Sequence, residues 1–329
     1  EELFGIRPAA IAHDLHPDYA STRYALHRAA GEEVQLLPVQ HHHAHMASCM
    51  AENGVDEAVI GVTFDGTGFG IDEASGEPTV WGGEFLLGDY RQFRRVAHLQ
   101  NVALPGGDQA ARETWRMAVS HLLDADEELA VIENRISRSK LRTVERMIGG
   151  RINTPQTSSM GRLFDAVASI AGVRDVNSYE GQAAMQLEWL AGDCTADEAY
   201  PFEIQPGSEN IPSLIDTRPL IRAVADDVRN CVPGNVIARR FHTTLVEMVT
   251  NVCCQLRAEH GIDAVVLSGG VFLNAILACE VFDRLAANGF RVFRHQQVPP
   301  NDGGLCLGQL AVAAATLAGT ATRTRKRLK

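Results

Sequence analysis

Two apolar runs constrain this chain more than any other feature: residues 58–64 (AVIGVTF) and residues 263–268 (DAVVLS). Neither is long enough for an ordinary helix, and both are rich in branched side chains, so each reads as a buried strand. Each breaks at once into glycine, the first through Phe64-Asp65-Gly66-Thr67-Gly68 and the second through Ser268-Gly269-Gly270-Val271. Further strands are expected at 8–13, ending at Asp14, and at 34–39, 81–88, 92–99 and 290–294. The DGTGFG stretch is expected in the hairpin between the strands at 58–64 and 81–88. Helical patterns cover 20–31, 42–52, 158–171, 181–191, 236–260, 272–288 and 304–318. One more helix is expected from Asp108, as its N-cap, to Leu123. Residues 201–235, rich in Pro, Asp and Asn, read as an irregular excursion. Periodicity alone therefore gives an α/β fold of two or more layers.

At 329 residues the chain can bury a large core, and 45% hydrophobic with 22% charged residues is ordinary for a globular protein. No apolar stretch reaches 18 residues, so no membrane span is expected. The first residues, EELFGIRPAA, lack a secretory pattern and a starting Met, which suggests a fragment of a longer chain. The net charge of -11 disfavours nucleic acid, whose phosphates need clustered Lys and Arg. The dense basic cluster from Arg323 to Lys329 reads as a solvated tail. Seven cysteines without a CxxC pair fit reduced, buried thiols and a cytoplasmic setting.

The segment Gln40-His41-His42-His43-Ala44-His45-Met46 places His41 and His45 four residues apart. On a helix both imidazoles share one face, at a spacing that suits a shared metal. The same face carries Ser48 and Glu52, whereas Met46, Cys49 and Met50 lie on another, so the pair is expected to point away from the core. Core or surface histidines are the plain alternative, and a tag is a poor fit between a strand and a helix capped by Asn53-Gly54. His42 and His43 are expected outside the ligand set. A zinc protease would need Glu directly after the first His, and His42 stands there.

The glycine loops carry the second signal. Asp65 ends a strand where a carboxylate could hold a metal, although an Asp-Gly turn alone can mean only a hairpin. Gly269 and Gly270 precede a helix, a natural place for an anion, with Asn274 expected in that helix's first turn. Pro300-Asn301-Asp302-Gly303-Gly304 puts another acid before another helix, where a simple N-cap is the alternative. Together, two acids, two histidines and the glycine loops are what a cleft holding a metal and a phosphate ester needs.

Taken in order, HHHAHMAS, FDGTG, YEGQAAMQLE, LSGGVFLN and PPNDGGLCLGQ resemble the C-terminal domain of the HypF-type hydrogenase-maturation carbamoyltransferases, and DLHPDYASTRYA and LPGGDQAARETWRMA add to the match. The likeness runs over essentially the whole chain. It implies a two-lobed fold of the actin, Hsp70 and sugar-kinase kind, with a nucleotide in the interlobe cleft. Residues 1–56 with 303–329 would form part of the N-terminal lobe, its first hairpin missing, and 57–302 the C-terminal lobe. The resemblance implies iron or zinc on His41, His45, Asp65 and Asp302. It implies ATP-derived carbamoyl-adenylate on Gly68, Gly161, Asp165, Glu180, Gly181, Gly269, Gly270 and Asn274. The implied acceptor is the C-terminal Cys thiol of a HypE-like partner, and the carbamoyl group is destined for hydrogenase cyanide. An upstream YrdC-like domain would supply the adenylate.

Asp14 and His16 are candidates for the acceptor side of such a cleft. Arg112, Trp115 and Arg116, read as one helix, are candidate pocket residues, as is His242. Competing readings are an O-carbamoyltransferase or tRNA threonylcarbamoyltransferase-like enzyme, a sugar or acetate kinase, and a non-catalytic docking lobe. The histidine pair speaks against a kinase and the acidic charge against a tRNA enzyme.

Overall fold

The computed structural model describes residues 3, 5–72, 75–192, 194–195, 198–208 and 211–327, with side chains up to 318. The first elements are β1 (Ala10–Asp14), α1 (Ala20–Ala29), β2 (Gln35–Val39) and α2 (His41–Glu52). Three long strands follow: β3 (Val59–Ile71), β4 (Pro78–Gly88) and β5 (Phe93–Leu99). Next come β6 (Val102–Ala103), α3 (Asp108–Arg112), α4 (Trp115–Asp124), α5 (Ala130–Glu133), α6 (Arg138–Gly149), β7 (Gln156–Thr157), α7 (Met160–Ile170) and α8 (Gln182–Gly192). The chain continues with β8 (Glu203–Gln205), β9 (Ser213–Asp216), α9 (Arg218–Arg229), α10 (Gly234–His260), β10 (Ala264–Ser268), α11 (Ala275–Ala287), β11 (Arg291–Arg294) and α12 (Leu305–Arg327).

β1 and β2 form a small parallel sheet. The large mixed sheet runs β11-β10-β3-β4-β5-β9-β8, with β6 and β7 attached beside β4. β3 pairs parallel with β10 and antiparallel with β4, which makes it a central strand covered on both faces. On one face Ile60, Val62 and Phe64 join the main core with α4, α7, α10 and α11. On the other, Val59, Ala264 and Val266 meet Met46, Cys49 and Met50 of α2. This double burial is why residues 58–64 read as continuously apolar.

Helix α2 is thus sandwiched, and Ala44, Ala47 and Val312 seal its far side. At this seam a Cβ on Gly308 would collide with the carbonyl oxygen of Ala44. Gly308→Ala is accordingly expected to cost about 1–3 kcal/mol through overpacking, readable as a lowered urea midpoint. No change in that midpoint would show that α12 is free to shift.

Several expectations are corrected. DGTGFG is not in the hairpin loop, because β3 continues through it to Ile71, beyond which the Asp72 N–H donates to the Glu77 carbonyl at 2.9 Å. The helix expected at 108–123 is two helices that break at Glu113 and Thr114, and its N-cap is Gly107 rather than Asp108. Arg112 and Trp115 therefore lie on different helices. Residues 201–235 hold β8, β9 and α9, which carries Pro219 in its first turn, where a missing N–H costs nothing. A 3-10 turn over Gly270–Leu273 precedes α11, so Asn274 is the helix N-cap and not part of its first turn. The thiols are free but mostly not buried: Cys231, Cys279 and Cys306 are exposed, and Cys49 and Cys253 are the buried pair. The expected solvated tail concerns side chains outside the described residues. Among the described residues, no helix is long and apolar enough to cross a membrane.

Candidate metal centre

Gln40 caps α2 by accepting from the His43 N–H, which starts the helix at His41. His41 and His45 then project together, but not toward solvent as their polar stripe suggested. Both are fully buried, facing β3 and the loop before α12. His41 Nε2 lies 3.3 Å from Asp65 Oδ2 and 3.5 Å from Asp302 Oδ1. His45 Nε2 lies 3.3 and 3.4 Å from the same two oxygens. One ligand atom from each of the four residues falls within 4.8 Å of all the others.

The supports of these side chains explain the convergence. Between Phe64 and Gly68 the register of β3 on β4 slips, a bulge that re-aims Asp65 out of the pleat. Its Oδ1 accepts from the Gly66 N–H at 2.8 Å and the Gly270 N–H at 3.2 Å, leaving Oδ2 to the imidazoles. Ser159 caps α7 and donates to the Gly66 carbonyl at 2.6 Å, tying that helix to the bulge. Asp14, a candidate for the acceptor side, accepts from His41 Nδ1 at 2.8 Å. That bond fixes the ring and turns Nε2 toward the carboxylates, as outer-sphere acids do in metal sites. Only its place at a strand end marked Asp14 in the sequence.

The electrostatics agree. Burial opposes a charged His41, yet its bonds to Asp14, Asp302 and Asp65 outweigh it and hold the ring well above the usual histidine range. His45 is raised in the same way by Asp302 and Asp65. Burial would push Asp65 up, but the two imidazoles bring it well below the usual carboxylate range. Asp302 is lowered by His41 and His45. The imidazoles and the carboxylates thus stabilise one another's charged forms. His45 Nε2 is buried without a hydrogen bond of good geometry. Two nitrogens and two carboxylate oxygens suit zinc or ferrous iron.

The expected nucleotide residues separate into two groups. A Cβ on Gly161 would lie 2.8 Å from Gly66 Cα, and one on Gly270 would lie 2.8 Å from Asp65 Oδ1. Gly269, with φ of 101°, turns past the Phe64 carbonyl. Gly68 seats the rings of His41 and His42, since a Cβ there would be 2.8 Å from His41 Cδ2 and closer still to His42 Cε1. These four glycines therefore border the cluster of His41, His45, Asp65 and Asp302. Asp165, Glu180, Gly181 and Asn274 have their contacts elsewhere. Asp165 is buried on α7, 2.7 Å from Arg162, and burial pushes it up to about 6. Glu180 is exposed in the turn before α8, where Gly181 has φ of 72°. Asn274 Oδ1 accepts from Leu277 N–H and its amide nitrogen donates to His242 Nε2 at 2.9 Å.

The remaining candidates are also placed. His242 is buried, its Nδ1 bonded to the Ala238 carbonyl. His42 is buried beside His41 and His43 bonds the Asp89 carbonyl, so neither joins the four. His16 stacks on Tyr19. Trp115 is buried, and Arg116 pairs with Glu113 at 2.5 Å.

Residues 61–309 match the family model described as carbamoyltransferase, Kae1-like domain, second subdomain, and residues 1–52 match the HypF Kae1-like domain. The chain belongs to the HypF family. It is 41% identical to carbamoyltransferase HypF2 of Cupriavidus necator, over 95% of this chain and 40% of that protein. A HypF homolog from the same organism is 40% identical over 93% of this chain and 77% of its own length. HypF of Rhodobacter capsulatus is 41% identical over 96% of this chain and 40% of its own length. The crystal structure of full-length HypF in the phosphate- and nucleotide-bound form superposes with a TM-score of 0.87, at 39% identity, covering 96% of this chain and 48% of that one. HypF from T. kodakarensis superposes at 0.82, with 33% identity over 93% of this chain and 40% of that one. The chain thus spans about 40% of the length of most of the HypF proteins it matches.

Proposed function

We propose that this chain is the carbamoyl-transfer unit of a hydrogenase-maturation enzyme. It takes the carbamoyl group of carbamoyl-adenylate and passes it to the C-terminal cysteine thiol of a HypE-like partner, toward the cyanide ligand. The observation that carries this reading is the His41, His45, Asp65 and Asp302 cluster bordered by the Gly269-Gly270 turn, in a chain of the HypF family.

In this reading the fold is the two-lobed, actin-like one, with residues 1–56 and 303–329 in one lobe and 57–302 in the other. The AMP part lies along Gly68, Gly161, Gly269 and Gly270, with Asp165, Glu180, Gly181 and Asn274 toward the ribose and base. The nucleotide in the related crystal structure supports a nucleotide here. His41, His45, Asp65 and Asp302 would hold iron or zinc, which when bound would supply Lewis-acid polarisation of a carbamoyl or phosphate oxygen. Asp14 keeps His41 oriented, and the Gly66 and Gly270 N–H groups keep Asp65 oriented. The partner's thiolate attacks the carbamoyl carbon, a C–S bond forms, and the C–O bond to the AMP phosphate breaks. AMP leaves with the electron pair, and the thiol proton goes to solvent. No nucleophile from this chain is required, so none of its seven cysteines is assigned a role. The setting is the cytoplasm, and an upstream YrdC-like domain makes the adenylate.

The test is to incubate the chain with ATP, carbamoyl phosphate, the upstream domains and the partner's C-terminal peptide, and to weigh the peptide. A gain of one carbamoyl group is expected with the metal-loaded chain, and none with His41→Ala. No gain with the metal-loaded wild type would overturn the reading.

A further inference from the structure

Beyond the four ligands, Glu52, His295 and Ser268 form a hydrogen-bonded chain. Glu52, the last residue of α2, has Oε2 2.7 Å from His295 Nδ1, and His295 Nε2 lies 2.9 Å from Ser268 Oγ. The other oxygen of Glu52 accepts from the backbone N–H groups of Gln296, Gln297 and Val298, at 2.9, 2.6 and 3.3 Å. Ser268 is fully buried, and the side chains of His295 and Glu52 are 3% and 10% exposed.

The connectivity matches that of a hydrolase triad, but the surroundings do not. The adjoining cavity, of about 550 Å³, is lined by His295 and not by Ser268. Ser268 leads directly into Gly269, whose N–H donates to the Pro300 carbonyl at 2.9 Å. The carboxylate is already occupied by three backbone donors. What the chain does join is informative. Helix α2 carries His41 and His45. The turn after Ser268 holds Asp65 through the Gly270 N–H. The loop pinned by Glu52 runs on to Asp302.

Asp302 depends most on that pinning. Its side chain is 62% exposed, and among the described residues its partners are the two imidazoles. Asp65, by contrast, has two backbone donors of its own.

We propose that Glu52 and His295 are positioning residues that set Asp302 and Asp65 against the histidine pair and thereby set metal affinity. This rests on the reading that the four ligands hold a divalent cation. With Glu52 truncated, three backbone donors lose their acceptor and the loop before α12 loses its anchor.

The experiment titrates the full chain with Co²⁺ and follows the visible absorption of the bound ion, with folding checked by circular dichroism. Wild type is expected to bind one ion. Glu52→Ala and His295→Ala are expected to stay folded but bind about 10–100-fold more weakly, with faster release and an altered spectrum. Glu52→Gln, whose amide oxygen still accepts from the three N–H groups, is expected to recover part of that loss. Wild-type affinity and spectrum in the folded alanine variants would overturn the proposal. Should those variants not fold, wild-type affinity in both Glu52→Gln and His295→Gln, which break the Glu52–His295 pair with less loss of packing, would do so. Labelling of Ser268 by a fluorophosphonate would also overturn it, by revealing a nucleophile. Absence of Co²⁺ binding in the wild type but not merely in the variants would remove the metal-centre reading itself.

Discussion

Asp65→Asn is expected to lower divalent-metal affinity by more than about a hundredfold while leaving the fold intact. Outer-sphere partners alone are worth about 10–100-fold in affinity, and Asp65 stands in the proposed inner set. The asparagine can keep Oδ1 on the Gly66 and Gly270 N–H groups. It then presents an amide nitrogen, a donor, to two imidazole nitrogens that should be sharing a cation. The charge is lost and the orientation becomes repulsive, whereas packing hardly changes. Metal content after dialysis and a direct titration would check this, alongside an unchanged thermal melt. Metal retention equal to wild type would show that Asp65 is not a ligand.

The second large effect concerns Glu84, which is fully buried on β4. Its carboxylate lies 2.5 Å from Arg95 Nε, receives the Ser158 hydroxyl at 2.5 Å, and accepts from the Gly82 and Gly83 N–H groups. Arg95 also lies over the Trp81 ring at 4.1 Å. Glu84→Ala would strand a buried guanidinium and is expected to cost roughly 3–5 kcal/mol. Replacing Glu84 and Arg95 together by Met should recover part of that, because neither charge is then left alone although the Gly82 and Gly83 N–H groups lose their acceptor. The wild type should show the matching pH dependence. Burial raises the Glu84 pKa, but Arg95 outweighs it and brings the group down from 4.5 to about 2. A depressed folded-state pKa means stability that is fully present above pH 4.5 and is lost as pH falls toward 2. Urea unfolding across that interval, for wild type and the Met pair, would read it. A pH slope that persists unchanged in the Met pair would assign the effect to other groups.

Much of this was legible in the sequence, for identifiable reasons. The His41 and His45 spacing, the glycine after each apolar run and the acid before the last helix are local patterns, and local patterns survive in one dimension. The direction of the histidine face was not legible. The stripe of His41, His45, Ser48 and Glu52 looks like a solvated face, yet each member meets a partner contributed by distant chain, such as Gly304 for Ser48 and His295 for Glu52. The bulge at Asp65 was hidden because an Asp-Gly pair ordinarily ends a strand, and only pairing with β4 shows that β3 continues. Residues 201–235 were misread because Pro219 and the acids mask the apolar face of α9, on which Leu220, Ile221 and Val224 are buried.

The hydrogen bond from Ser48 to Gly304 spans 256 residues, and Asp302 reaches the imidazoles across a similar separation. A chain emerging from synthesis can therefore assemble three of the ligands long before the fourth exists. The tight cage closes only when the last helix docks against one of the first. An ion on the four proposed ligands would therefore tie α2 to the loop before α12, and its binding free energy would oppose their parting, as a clasp does.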